Sequence, residues 1–289
     1  PFSWIWPMLI LAIVIFVGLL FFGVFKGRLA VKDMLMGFLP FLASLVVAGF
    51  GTFYLWKALQ WIYPQYAEIL HGFSYNGHSY IFAFVFLTLG ICFWFYHKFY
   101  KKENTGSLLV APITIWIILC IFVGLKLKGA SFFIIPVYFG LLGLLVLVRQ
   151  KKPSLVVLAL LSFPLLLIMA PFIKMLPVGL GLSKLFIVGV LGALIFGLLI
   201  PVFGFFKHKN RWSYFMFFVS FCVLVSAHFK SDFNNERPKP NSLVYMLNTD
   251  DNTAIWATYD NVLDDWTKQF IGETPNDAKQ LNANTLGSK

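Results

Sequence analysis

Charge is what this sequence lacks most. Only 12% of its 289 residues are Asp, Glu, Lys or Arg, against about a quarter in soluble globular domains. Acids are scarcer still, with Asp33, Glu68 and Glu103 alone in the first 230 residues. Cysteine is nearly absent: Cys92, Cys120 and Cys222 each sit inside an apolar run and read as small buried hydrophobes, which removes a disulfide-stapled scaffold. No Gly-rich phosphate loop, no His-Glu-x-x-His and no nucleophile elbow occurs, so the motif-bearing nucleotide hydrolases, zinc peptidases of that motif and serine hydrolases find no support. Missing too is a basic region ahead of the first apolar run at Pro1-Phe2-Ser3-Trp4, so the start does not read as a signal peptide. The chain reads as cut from something longer.

What is present is apolar bulk, with 59% hydrophobic residues and 34 Phe. Eight apolar runs can be marked, at 3–25, 35–57, 80–98, 108–126, 131–148, 155–173, 185–206 and 212–229. Each is near the roughly 18 to 20 residues that a bilayer core demands of a helix. The expected fold is an all-α polytopic membrane protein of about eight transmembrane helices over 1–230. A linker at 231–241 follows, then a small α+β soluble segment over 242–289.

The basic balance of +11 invites a nucleic-acid reading, but its distribution argues for loops instead. Residues 1–230 carry 18 Lys and Arg against three acids, while 231–289 carry five against nine. Twelve of the basic residues fall in alternate connections: Lys26, Arg28 and Lys32; Lys98, Lys101 and Lys102; Arg149, Lys151 and Lys152; Lys207, Lys209 and Arg211. The other connections hold Lys57, Lys126, Lys128, Lys174 and Lys184. A bias of that kind places the first set on the cytoplasmic side and both termini opposite, in the periplasm if the membrane is a bacterial inner one. Lipid is the partner this implies, and nucleic acid is not.

Prolines at 40, 112, 136, 164, 171 and 201 fall within or at the ends of runs, where they read as kinks more simply than as transporter hinges. Gly189, Ala193 and Gly197 recur every fourth residue, a stripe that lets another helix approach closely, within one chain or between two copies of a homo-oligomer. Beyond Lys230, Pro238 and Pro240 mark the linker. Leu243–Leu247 and Ala254–Tyr259 alternate as a hairpin would, and a short helix carrying Val262, Trp266 and Phe270 follows. Tyr245, Trp256, Trp266 and Phe270 are many large aromatics for so short a segment, so it is expected to lie against the loop from Tyr63 to Tyr80 or another extramembrane domain.

Chemistry-bearing residues are sparse. Every ionisable residue lies at a run end or outside, leaving Ser44, Thr52, Thr88, Thr114, Ser162 and Ser220 as the main hydroxyls at depth, each expected to bond the preceding turn of its own helix. Glu68, His71 and His78 share the longest loop between runs, but their spacing is not that of a zinc site. His97, His208 and His228 read as interfacial. The pairs Asp250-Asp251 and Asp264-Asp265 lack the twelve-residue loop that calcium would need. No catalytic, cofactor-binding or metal residue is assigned.

Two stretches nonetheless resemble a known family. Arg237-Pro-Lys-Pro-Asn-Ser-Leu-Val-Tyr245, with Trp256-Ala-Thr-Tyr-Asp260 and Asp265-Trp-Thr-Lys-Gln-Phe270, is similar to the C-terminal region of membrane-anchored zinc aminopeptidases of metallopeptidase family twenty-eight, relatives of the endoplasmic reticulum metallopeptidase and the vacuolar membrane protease. Phe73-Ser-Tyr-Asn-Gly-His-Ser-Tyr80 looks like that group's loop between its second and third spans. The resemblance implies a di-zinc peptidase domain ahead of the spans, a β-rich domain behind them, and a bacterial member by its Phe-rich style. It implies no catalytic residue within these 289 positions, so zinc is expected only in that other domain. The competing expectations are a transporter or lipid-handling protein, and a structural subunit of a membrane complex.

Overall fold

A computed structural model describes residues 4–63, 66, 77–99, 104–126, 130–230, 243–248, 253–258 and 279–280. The chain divides into two compact units, Pro1–Phe229 and Lys230–Lys289.

Among the described residues, the first unit holds eight α-helices: α1 Ile5–Phe25, α2 Val31–Ile62, α3 Gly77–Phe99, α4 Thr105–Lys126, α5 Ile135–Arg149, α6 Leu155–Leu180, α7 Phe186–Leu198 and α8 Lys209–Lys230. A 3-10 turn, Ala130–Ile134, leads into α5, whose first turn carries Pro136. Among the described residues, seven stretches are long and apolar enough to cross a membrane: α1, α2, α3, α4, Phe132–Arg149, Leu155–Pro177 and α8. The protein is an integral membrane protein by that measure.

The seventh apolar run departs from the eight equal spans expected. Its α-helix has only 13 residues, about 20 Å of rise at 1.5 Å each, well short of the roughly 30 Å hydrocarbon core. The break follows from Pro201, which cannot donate to the helix ladder and disfavours α geometry at Ile200. The chain continues as a 3-10 segment, Ile200–Phe205, adding about 12 Å at roughly 2 Å per residue. Such backbone is tolerated at membrane depth only inside protein. Accordingly Ile200, Pro201 and Phe203 of that segment are buried, as is most of α7, from Val188 and Gly189 to Gly197 and Leu198.

The Gly189–Ala193–Gly197 stripe makes that enclosure feasible. A Cβ on Gly189 would run into the Ala48 carbonyl of α2, and one on Gly197 would meet Phe41 of α2 and Pro112 of α4. On α2 the matching face is Phe41, Ser44, Ala48 and Thr52, mostly small residues that admit the close approach. The stripe packs within the chain, against α2 and α4.

Helices α3 and α4 are buried over about half of their length, whereas α1 and α6 bury a narrow stripe and leave apolar residues exposed. On α1 the buried set is Ile5, Leu9, Ala12, Phe16 and Gly23, one face at helical spacing, while Ile10, Leu11, Val14 and Phe21 point outward. On α6 it is Leu158, Ser162, Leu165 and Met169. Pro40, Pro112, Pro164, Pro171 and Pro177 all lie inside helices, so α6 runs past all three of its prolines and α2 extends beyond both ends of its expected run.

In the second unit, strands β1 Leu243–Asn248 and β2 Thr253–Thr258 pair antiparallel, with Tyr245 opposite Trp256. A two-residue strand β3, Lys279–Gln280, pairs parallel to β2. The helix expected around Val262, Trp266 and Phe270 lies outside the described residues, as do the linker 231–241 and Asp250, Asp251, Asp264 and Asp265.

Candidate functional site

Two assemblies stand out, one at each end of the bundle. At the end where α2 and α8 finish and α3 begins, Trp56, Tyr63, Tyr66, Tyr80, Phe84 and His228 form one aromatic rim. The Tyr66 ring stacks on Trp56 at 6.0 Å and 18°, and the Trp56 indole meets Tyr80 at 5.6 Å and Phe84 at 6.1 Å, both edge to face. Such geometries suit the ring quadrupoles. Tyr63 and His228 rings lie 5.3 Å apart, and the Tyr66 hydroxyl sits 2.7 Å from His228 Nδ1. The sequence produces this because Ala48, Thr52 and Trp56 continue one helical face of α2 into the rim. Burial pushes the Tyr66 phenol above its usual value, with Tyr63 adding to the rise and a hydrogen bond to Tyr80 opposing it.

Of the histidines singled out in the sequence, His228 is thus drawn into a tyrosine cluster rather than left at a bare interface. His78 opens α3 two residues before Tyr80, while Glu68 and His71 lie outside the described residues. Among the described residues no three His, Cys, Asp or Glu converge.

At the opposite end the basic connections meet. Asn104 Nδ2 donates to the Arg28 carbonyl at 3.4 Å, its Oδ1 caps the Ser107 amide at 3.1 Å, and the Ser107 hydroxyl accepts from the Ala30 amide at 3.3 Å. Leu29 fits against Gly23 and Gly106, Gly23 also approaches Val148, and Leu155 covers Gly204. Among the described residues, the connections after α1, α5 and the 3-10 segment and the start of α4 at Asn104 therefore lie side by side, which brings basic residues from alternate connections to one end of the bundle. Lys101 and Lys102 lie outside the described residues.

That face holds a cleft of about 360 Å³ walled by Thr105, Pro153, Leu155, Gly204, Lys207 and Lys209, with Leu108, Leu147, Leu158, Pro201 and Phe203 deeper in. Lys209 Nζ stands 5.6 Å from the Phe203 ring centre. On the other side of Phe203 lies an apolar groove of about 440 Å³ between α3, α6, α7 and α8, lined by residues such as Leu89, Ala159, Leu199 and Met216 and open to the outside at the exposed Phe163, Leu166 and Phe205. A third hollow, about 500 Å³, opens between α2 and α7 at Gly49, Phe53 and Val190.

The hydroxyls at depth are structural. Ser44, Thr52, Thr88 and Thr114 donate to carbonyls of Phe41, Ala48, Phe84 and Val110 on their own helices at 2.7 to 2.9 Å. Ser220 departs from that expectation, donating at 2.8 Å to the Ala83 carbonyl of α3. Ser213, which the sequence did not single out, does the same to Gly90. Its only signal is the seven-residue spacing from Ser220, two turns of one face. Comparison with known proteins adds no relative: no family model, no curated protein and no solved structure matches the chain, and its own residues must carry the functional reading.

Proposed function

We propose that this chain is a membrane anchor, the membrane-embedded and C-terminal portion of a zinc aminopeptidase-like protein of metallopeptidase family twenty-eight, presenting a peptidase domain on the face opposite the basic loops. In this reading the basic face is cytoplasmic and the aromatic rim lies on the periplasmic side of a bacterial inner membrane, where the zinc belongs to the peptidase domain. The observation that carries it is the Tyr66–His228 contact of 2.7 Å. It ties the long loop after α2 to the end of α8, and these are the two places beside which the family-like stretches occur, Phe73–Tyr80 and Arg237–Tyr245.

The interlocked rings hold the end of α8 against the start of α3 and so stiffen the face of the bundle on which, in this reading, the peptidase domain stands. The narrow buried stripes and polar fastenings of the bundle serve the same end. Reading the coding frame on the 5′ side of Pro1 tests the proposal. A continuous frame encoding a domain with paired His, Asp and Glu zinc ligands supports it, and an unrelated domain or a stop overturns it.

A further inference from the structure

The two hollows on either side of Phe203 belong together. The outer cleft is basic: Lys207 is exposed, Lys209 leans over Phe203, and no described residue of its wall is acidic. Among the described residues, ten Lys and Arg belong to the connections of this face and one acid, Asp33, in the first turn of α2, stands against them. Three helices, α4, α6 and α8, begin at residues that line the cleft, namely Thr105, Leu155 and Lys209. Each helix start adds a partial positive charge and amide donors. On α6 these donors are not claimed by a side-chain cap, since Ser154 makes no such bond.

The apolar groove has the opposite character, with Ser162 as its one hydroxyl among apolar side chains, and it shares Phe203 with the cleft. A soluble anion would use only the cleft, and a neutral lipid tail only the groove. One ligand class uses both: an acidic head joined to a hydrocarbon chain. We infer that the cleft at Lys207 and Lys209, with the groove that shares Phe203, is a binding site for an anionic phospholipid from the leaflet that the basic face meets. The head lies at the lysines and the three helix starts, and one acyl chain lies in the open apolar groove on the other side of Phe203. Basic pockets between membrane helices have the right chemistry for such heads. The site does not depend on the anchoring role proposed above.

The experiment uses the whole chain, reconstituted in phosphatidylcholine nanodiscs containing phosphatidylglycerol and released into mild detergent for native mass spectrometry. Retained phosphatidylglycerol should exceed phosphatidylcholine by roughly tenfold, as two lysines near a lipid head would give. The K207Q/K209Q variant should lose that preference, whereas K26Q/K32Q, altered on the same face away from the cleft, should keep it. Ala159→Phe, which fills the groove, should lower retention of phosphatidylglycerol with both lysines intact. Equal loss in the two lysine variants would show general surface attraction and overturn the site. Displacement of the lipid by millimolar inorganic phosphate or glycerol 3-phosphate, with Ala159→Phe without effect, would assign the cleft to a soluble phosphate and overturn the lipid.

Discussion

The indole Nε1 of Trp116 donates a 3.1 Å hydrogen bond to the carbonyl oxygen of Leu194. It joins the middle of α4 to the last turn of α7, just before the ladder gives way at Leu199 and Pro201. Trp116 is fully buried, so this bond is made without competition from water.

Trp116→Phe should therefore destabilise the bundle by about 1–3 kcal/mol, from the lost bond and the space left by the smaller ring. Trp61→Phe is the control, because Trp61 is 84% exposed. Thermal unfolding in detergent compares them, and equal shifts would show that the Trp116 bond contributes nothing.

Two glycine substitutions should differ in sign. Gly189→Ala drives a methyl into the Ala48 backbone, which cannot yield as a side-chain tip can, and should cost about 1–3 kcal/mol. Gly18→Ala meets nothing within 4 Å on α1 and should be neutral or stabilising by up to about 1 kcal/mol. The same unfolding assay decides, and tolerance of Gly189→Ala would contradict the close packing of α7 on α2.

Alkaline pH should loosen the rim. The Tyr66 phenol titrates above the ordinary 10.0 because burial disfavours its charged form. A raised folded value means that the stability due to Tyr66 is fully present below about pH 10 and is lost as pH climbs through the raised value. The stability difference between the protein and Tyr66→Phe should hold constant through the neutral range, at roughly 0.5–1.5 kcal/mol, and shrink in strong alkali. Phenolate absorbance, read as a difference between the two proteins, should show Tyr66 titrating late; an ordinary titration would refute its burial.

Orientation is open to direct labelling. A cysteine placed at Asn76 or Asn252 should react with an impermeant thiol reagent in intact cells, and one at Asn210, on the basic face, should not. Native Cys92 and Cys120 are buried and will stay silent, whereas Cys222, expected to be buried, is exposed on α8 and is first replaced by Ala. Reaction at Asn210 alone would invert the proposed topology. Asn104 is a poor probe position, since its side chain caps α4 and holds Arg28.

The helical class and the position of each apolar run were legible because length and hydrophobicity are local properties. Pro201 was legible as a kink, yet not as the point where α7 stops, since Pro171 and Pro177 sit inside α6 without ending it. Which outcome a proline takes depends on the neighbours that receive the freed carbonyls. The rim was out of reach for a different reason. Tyr66 and His228 lie 162 positions apart, and nothing in either neighbourhood names the other. Ser213 and Ser220 read like any membrane hydroxyl, and only the pairing of α8 with α3 reveals that they fasten two helices.

The enclosure of α7 has a consequence for biogenesis. Translation delivers α2 and α4 first, and the 60 residues from Lys126 to Phe186 take about 3–12 s at roughly 5–20 residues per second. During that interval the groove that Gly189 will fill, along Phe41, Ala48 and Thr52, faces the acyl chains of the nascent protein's surroundings. Those chains must be expelled when α7 arrives, so the last stage of assembly is an exchange of lipid for helix, driven by the tighter fit of glycine against backbone.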